Sequence, residues 1–245
     1  MRNATRWPLR LLYTPVLILL LATISTSMAS AHQPIFEEED LSAERTLSIA
    51  NPTISTALYA TLDAEDDVDF FTFTAAEGTR VLIGMTIPQI AGQDEFAPTI
   101  ALIGPGLPQK EKALLPPSAQ SLINADNGFD LFLAPTQASA FFEPFSRTSY
   151  WRRQQTRVTM PADGTYTLIV WDAPAQMGRY VLVVGDREVP GGDPLFAIKL
   201  PNYWTPVDAD AGASDAPQLS TCTVLQELRH RILGGDLPCR PRRMP

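Results

Sequence analysis

Histidine and cysteine, on which zinc and thiol chemistry depend, occur only twice each in this chain of 245 residues. No H-E-x-x-H pair is present, so a zinc peptidase has no ligand set. No G-x-S-x-G elbow is present either, and the two imidazoles, His32 and His230, stand near opposite ends of the chain. That placement argues against a Ser-His-Asp triad. Copper bound by His32 as a new N-terminus would need a second imidazole, and only His230 remains to supply it. Cys222 and Cys239 lie close together near the C-terminus, and such a pair in an exported chain reads as one disulfide. Closing the 16 residues between them is worth about 3 kcal/mol in the chain-entropy model. Cations are scarce too: 19 Lys and Arg stand against 27 Asp and Glu.

Long apolar runs are also missing. The longest, Leu11–Ile24, has 14 residues, fewer than the roughly 20 of a spanning helix. Arg2, Arg6 and Arg10 precede it and the small-residue triplet Ala29-Ser30-Ala31 follows it. This is the layout of a secretory signal peptide over residues 1–31, cleaved after Ala31. The rival reading is an uncleaved anchor over Trp7–Met28. Cleavage removes three Arg and no acid, which takes the formal charge from −8 to −11. An exported chain is expected, periplasmic, cell-surface or extracellular, with no membrane span after signal cleavage. So acidic a body argues against nucleic acid and anionic membranes as partners, because phosphate binding needs a cationic face.

What is abundant is proline, 22 residues, and strand-length runs bounded by turn residues. Residues 32–55 read as an acidic N-terminal arm. From Thr56 the period becomes two, the signature of half-buried strands. Leu58 and Ala60 fall opposite to Tyr59 and Thr61. Phe71 and Phe73 share one face, and Phe70, Thr72 and Thr74 take the other. "AAEGT" then supplies a Gly turn before "RVLIGMTI", and the two runs read as a hairpin. The grammar recurs at "GTYTLIVWD" and "GRYVLVVGD", where Tyr166, Leu168 and Val170 align, as do Tyr180, Leu182 and Val184. "PTIALIG" and "TRVTM" add strands, and "PLFAIKL" is a further candidate. With almost no helix between them, the strands predict an all-β, two-layer antiparallel β-sandwich over residues 56–200. Residues 104–155 are too long for an ordinary connection and too aromatic for disorder, so they should pack as an insertion, with short strands near "GFDLFLA" and "ASAFFEPF". Residues 201–245 form a C-terminal extension: a linker at "DADAGASDAPQ", then a short helix bounded by the two Cys, with Val224, Leu225, Leu228 and Ile232 on one face.

Two stretches carry a family likeness. "DDVDFFTFTAAEGTRVLIGM" resembles the acidic–aromatic strand and Gly-Thr turn of the bacterial pre-peptidase C-terminal (PPC) domain family. "GTYTLIVWDAPAQMGRYVLVVG" resembles that family's closing pair of strands. The matched residues are 67–85 and 164–185. The middle, residues 104–155, and the C-terminal extension depart from the pattern. The resemblance implies a jelly-roll-like sandwich serving as an accessory module of a secreted protein. Members of the family accompany peptidases or bind extracellular polymers, and some bind calcium. No peptidase domain stands beside it here, which leaves the accessory role without its usual companion.

Two constellations could carry function. Asp63, Asp66, Asp67 and Asp69, with Glu65 among them, offer carboxylate oxygens beside a strand, the hard ligands that calcium takes in sets of six to eight. Glu37–Asp40 would add more if the arm folds back. The other reading is a solvated turn whose acids guard a strand end, with Asp67 or Asp69 accepting backbone N–H groups at the sheet rim. The second constellation is Phe141, Phe145, Arg147, Tyr150, Trp151, Arg152 and Arg153. Exposed as one patch, these rings would stack on sugar faces or anchor a partner protein, and the Arg would receive acidic groups. Buried, they would simply be core, with Arg stems covering them. The expectation is a secreted non-catalytic β-sandwich module that binds an extracellular protein or polysaccharide, or serves a structural role at the cell envelope. No cofactor is expected apart from calcium at the acidic cluster. The alternative is a secreted hydrolase working by a carboxylate pair, which would show a concave pocket with two neighbouring carboxylates and a perturbed acid among them.

Overall fold

The computed structural model describes residues 32–205 and residue 207. The signal segment, the Cys222–Cys239 pair and the helix expected between them lie outside the described residues. The fold is all-β, with two stacked sheets. The six-stranded sheet runs in the order β1 (Gln33–Phe36), β3 (Thr56–Leu62), β11 (Gly178–Val184), β5 (Arg80–Pro88), β9 (Thr148–Thr159) and β8 (Ser139–Glu143). The five-stranded sheet runs β2 (Leu47–Ser48), β4 (Asp69–Ala75), β10 (Gly164–Trp171), β6 (Thr99–Pro105) and β7 (Asn127–Phe132). Among the described residues, no helix is long and apolar enough to cross a membrane.

The alternation in the sequence sets which side chains enter the gap between the sheets. Leu58, Ala60 and Leu62 of β3, Phe71 and Phe73 of β4, and Leu182 of β11 all belong to the inter-sheet core. Phe71 lies opposite Leu168 and Phe73 opposite Tyr166, whose rings stack 5.7 Å apart. The Tyr166 hydroxyl donates its one proton to the Ala162 carbonyl (2.7 Å), with the Pro105 carbonyl 3.2 Å away, so its polar end is satisfied at the rim. Gly104 exists for this ring: a Cβ there would sit 2.3 Å from it.

The expected hairpins are not hairpins. β4 belongs to one sheet and β5 to the other, and the same holds for β10 and β11. The turn at Ala76–Thr79 is an arch that carries the chain across the gap, with Gly78 at φ +78°. The arch is held by the neighbouring crossing after β9: Gly78 N–H donates to Met160 O at 2.9 Å, and Glu77 N–H to Asp163 Oδ1 at 2.7 Å. The two family-like stretches therefore pair with each other, β4 on β10 and β5 on β11.

The arm adds a strand to an edge of each sheet, β1 beside β3 and β2 beside β4, and both pairs are parallel. Because the chain alternates between sheets at each of its first crossings, every second strand runs the same way. The antiparallel expectation holds for every other strand pair and fails at these two edges. Residues 104–155 are no excursion from the sandwich. They supply β7, β8 and the first two thirds of β9, and the connection after β6 folds Leu115 and Ala119 over the outer face of the five-stranded sheet, onto Phe70, Ile103, Phe129 and Ile169.

"PLFAIKL" is not a strand. It starts the short helix α1 (Phe196–Lys199), which runs into a 3₁₀ turn at Leu200–Trp204. Asp193 begins it by accepting the Leu195 N–H at 2.7 Å and pairing with Lys199, also at 2.7 Å. Phe196, Leu200 and Tyr203 recur at helical spacing and cover Tyr59 and Val181 on the outer face of the six-stranded sheet. The sandwich thus carries cover on both outer faces.

Candidate functional site

The arm returns Glu37 and Asp40 to the acidic loop between β3 and β4. One oxygen each of Glu37, Asp40 and Asp69 lies within 4.8 Å of the others, and so does one each of Asp40, Asp63 and Asp67. Asp66 belongs to neither trio. It lines the acidic cleft of about 330 Å³ that opens beside them, between Ser42 of the arm and Ser118. Several oxygens are already engaged. Glu37 accepts the N–H groups of Thr61 (2.8 Å) and Leu41 (3.2 Å), and Asp67 Oδ2 accepts that of Asp63 at 2.8 Å. Asp69 is fully buried at the rim of the core. Its Oδ2 takes the Tyr180 hydroxyl at 2.5 Å, and its Oδ1 has no hydrogen-bond partner.

Burial, with crowding by like charge, raises four of these carboxyls: Glu37, Asp40, Asp67 and Asp69. Burial lifts Glu37 to about 7 against two stabilising N–H bonds, with Asp67 and Asp40 adding repulsion. Asp67 rises to about 6, again chiefly by burial. Asp69 goes far above the carboxylate range, through burial first and the neighbouring Glu37 second. Among the described residues no Lys or Arg forms an ion pair with these carboxylates: Arg45 pairs with Glu39 at 3.3 Å and donates to the Asp40 carbonyl. All-oxygen donors from two converging segments, with one buried oxygen lacking a partner, fit a hard divalent cation. Such an ion would hold in ionised form carboxylates that otherwise retain protons.

The aromatic segment is divided by its own strand alternation. Tyr150 and Arg152 of β9 point to the outer face of the six-stranded sheet, while Trp151 packs against the inter-sheet core. Arg153 is buried, with Nη2 donating to the Asp94 carbonyl at 2.6 Å. Arg147 lies exposed in the β8–β9 turn at φ +55°. Phe141, Phe145, Tyr150 and Arg152 come together around a cavity of about 210 Å³. Its floor is made of short outward side chains, Ala57 of β3, Gly84 and Thr86 of β5, and Val181 and Val183 of β11; its far wall is His32 and Pro34, beside and within β1. The rings do not form a flat exposed patch: Phe141, Phe145 and Trp151 are half-buried and Tyr150 is buried, while Phe142 alone stands 60% exposed on the edge strand.

Each wall group is fixed. The Phe141 ring stacks on Tyr150 at 5.7 Å and carries the Arg152 guanidinium 4.5 Å above it. Phe145 stacks on Phe196 at 4.8 Å, which ties the hairpin to the C-terminal cover. Glu143 caps the β8–β9 turn, its two oxygens accepting the N–H groups of Phe145 (3.0 Å) and Ser146 (2.5 Å). Burial raises the Tyr59 and Tyr150 hydroxyls, so both remain protonated donors, and lowers His32, whose Nδ1 meets Ser55 Oγ. Tyr59, Glu143 and His32 carry no sequence signal as members of this site. They reach it from separate strands, and only the register of the sheet brings them together.

No family model matches this chain, and no curated protein matches it. Among solved structures it is similar to the pre-peptidase C-terminal domain of a collagenase from Bacillus anthracis, at 12% identity over 60% of this chain and 96% of that one, with a TM-score of 0.32. It is similar also to PliG of Salmonella Typhimurium, a periplasmic inhibitor of g-type lysozyme, at 16% identity over 62% and 97%, with a TM-score of 0.30. A third is CorA of Methylomicrobium album, a surface-associated copper-binding protein, at 11% identity over 64% and 99%, with a TM-score of 0.27.

Proposed function

We propose that this chain is an exported, non-catalytic binding module that engages an extracellular protein or polysaccharide through the outer face of its six-stranded sheet. The observation that carries this reading is the cavity between the β8–β9 hairpin and β1, where aromatic walls hold one guanidinium in place. Cavities of this composition, mostly apolar with a few convergent polar groups, are the usual form of a binding site. The signal-peptide layout of residues 1–31 supports export. The test is binding of the protein to immobilised envelope polysaccharides and envelope proteins, repeated with Phe141→Ala and Arg152→Ala. Both substitutions should weaken capture of the partner by about tenfold or more, as loss of a hot-spot side chain does. Capture that neither substitution affects would place the interface elsewhere.

A calcium ion at the arm is part of the same proposal, supported by the partnerless Asp69 Oδ1 and the two overlapping carboxylate trios. Glu37, Asp40, Asp63, Asp67 and Asp69 are the residues that would hold it, and its role would be to fasten the arm to the loop. Calorimetric titration with calcium should give saturable heat that Asp67→Asn weakens. No heat from the unaltered protein ends the idea. The same acids are what a carboxylate-pair hydrolase would need, with Asp67 perturbed beside a cleft. Against that alternative, the only ring among the cleft's lining residues is Phe70, which is buried. Asp69, the most perturbed acid, is out of reach of any substrate.

A further inference from the structure

We infer that the cavity on the six-stranded sheet takes a carboxylated sugar ring, a hexuronate, with its carboxylate on Arg152. The inference rests on the binding role proposed for that face and names its ligand class. Arg152 makes no ion pair with any described residue, and the Phe141 ring holds its guanidinium at 4.5 Å. A planar, preoriented guanidinium is matched by a carboxylate, which it grips through two parallel N–H bonds. The other charged group in the lining is Glu143, and its position relative to Arg152 is informative. Arg152 pairs across the ladder with Ser139, and Glu143 lies four positions further along β8. At the usual rise, that is about 13 Å between their backbones along the strand, of which the guanidinium, leaning over Phe141, spans a part.

The cavity is therefore dipolar along its length, with a donor for an anion at one end and an acceptor for hydroxyls at the other. A hexuronate has this polarity, with the carboxylate on one side of the ring and vicinal hydroxyls on the other. An α-amino acid does not, because its two charges sit on one carbon and cannot reach both ends. The body between the ends is also specified. Phe141 offers an aromatic face to the C–H side of a ring, and Gln155 and His32 line the cavity with groups that hydrogen-bond hydroxyls. The buried Tyr150 hydroxyl makes no aligned hydrogen bond, although the Tyr59 and Ser146 hydroxyls lie beside it. A fatty or aromatic acid would satisfy Arg152 but would offer no hydroxyl to Gln155 or to the remaining lone pairs of Glu143. A cavity of about 210 Å³ has room for one such ring, either free or at a chain end.

The test is calorimetric titration of the full chain with D-glucuronate and D-galacturonate, and with glucose and benzoate as controls. One or both uronates should bind saturably, more tightly than either control. Arg152→Gln should weaken uronate by about tenfold or more and leave glucose nearly unchanged. Arg152→Lys, which keeps the charge and loses the planar fork, should fall between the two. Arg152 is exposed, so both variants should melt as the unaltered protein does; were Arg152→Gln to unfold, the Lys variant and the glucose control still decide the matter. Benzoate binding as tightly as uronate, glucose equal to uronate, or no saturable uronate binding each overturns the inference. If that happens while Phe141→Ala and Arg152→Ala still weaken capture of a partner, only the ligand class is wrong. If capture is also indifferent to them, the binding role of this face falls as well.

Discussion

Tyr180 and Tyr166 show how one residue type serves two ends of the same core. Tyr166 sends its hydroxyl to backbone carbonyls at the rim, an arrangement available to any strand end. Tyr180 is buried and ends on Asp69, a carboxylate that burial and Glu37 hold far above its ordinary range. The phenol donates to a carboxyl group whose second oxygen is left without a protein partner. Between these polar ends, Phe71 and Phe73 are buried on both sides of the register with β10. Phe71→Ala or Phe73→Ala should cost about 3–5 kcal/mol, since each would open a cavity in a close-packed gap. Denaturant unfolding measures this directly, and a midpoint unmoved by either change would contradict the assigned phase.

At the scale of elements, strand phase was legible and strand partnership was not. The alternation in "DFFTFTA" placed Phe71 and Phe73 inward and Phe70 outward, as observed. A Gly turn between two alternating runs reads identically whether it closes a hairpin or arches between sheets, because both leave the same side chains in the core. The choice lies in long-range bonds such as Gly78 N–H to Met160 O. The acid cluster is likewise a meeting of elements, the arm after β1 and the loop before β4, and this gives it a pH signature. Burial raises Glu37 to about 7 and Asp67 to about 6, so the folded protein keeps protons that the unfolded chain has released above the ordinary carboxylate range. Folding stability should therefore fall as pH rises from about 5 to 8 in the presence of chelator. His32, whose pKa burial lowers, acts in the opposite sense below its ordinary value of 6.5. The comparison that isolates the cluster is the melting temperature of Asp67→Asn against the unaltered protein. The variant should show the shallower decline, and calcium should restore the unaltered protein at pH 8. A melting temperature that rises across this range in both proteins would overturn the assignment.

At the scale of the whole molecule, the sandwich is closed by segments that looked peripheral. The arm covers one edge of each sheet, the connection after β6 covers one outer face, and α1 with its 3₁₀ turn covers much of the other. What α1 leaves uncovered is the cavity, walled by the β8–β9 hairpin. In a chain with 27 acids against 19 cations, two Arg pair with no described carboxylate and lie over rings, Arg179 on Tyr203 and Arg152 on Phe141, and only Arg152 lines the cavity.

The sequence by itself determined the class of the fold and the residues of its dry interior, because a period of two is a local property of the strand. It also determined which side faces inward where the alternation is clean, as at Phe71 and Phe73, Tyr166 and Leu182. Tertiary structure decided which sheet each strand joins, that Glu37 and Asp40 meet Asp69, and that Phe141 and Arg152 face Tyr59 and His32 while Trp151 turns away. Those outcomes depend on contacts between residues far apart in the chain, and no local periodicity encodes them.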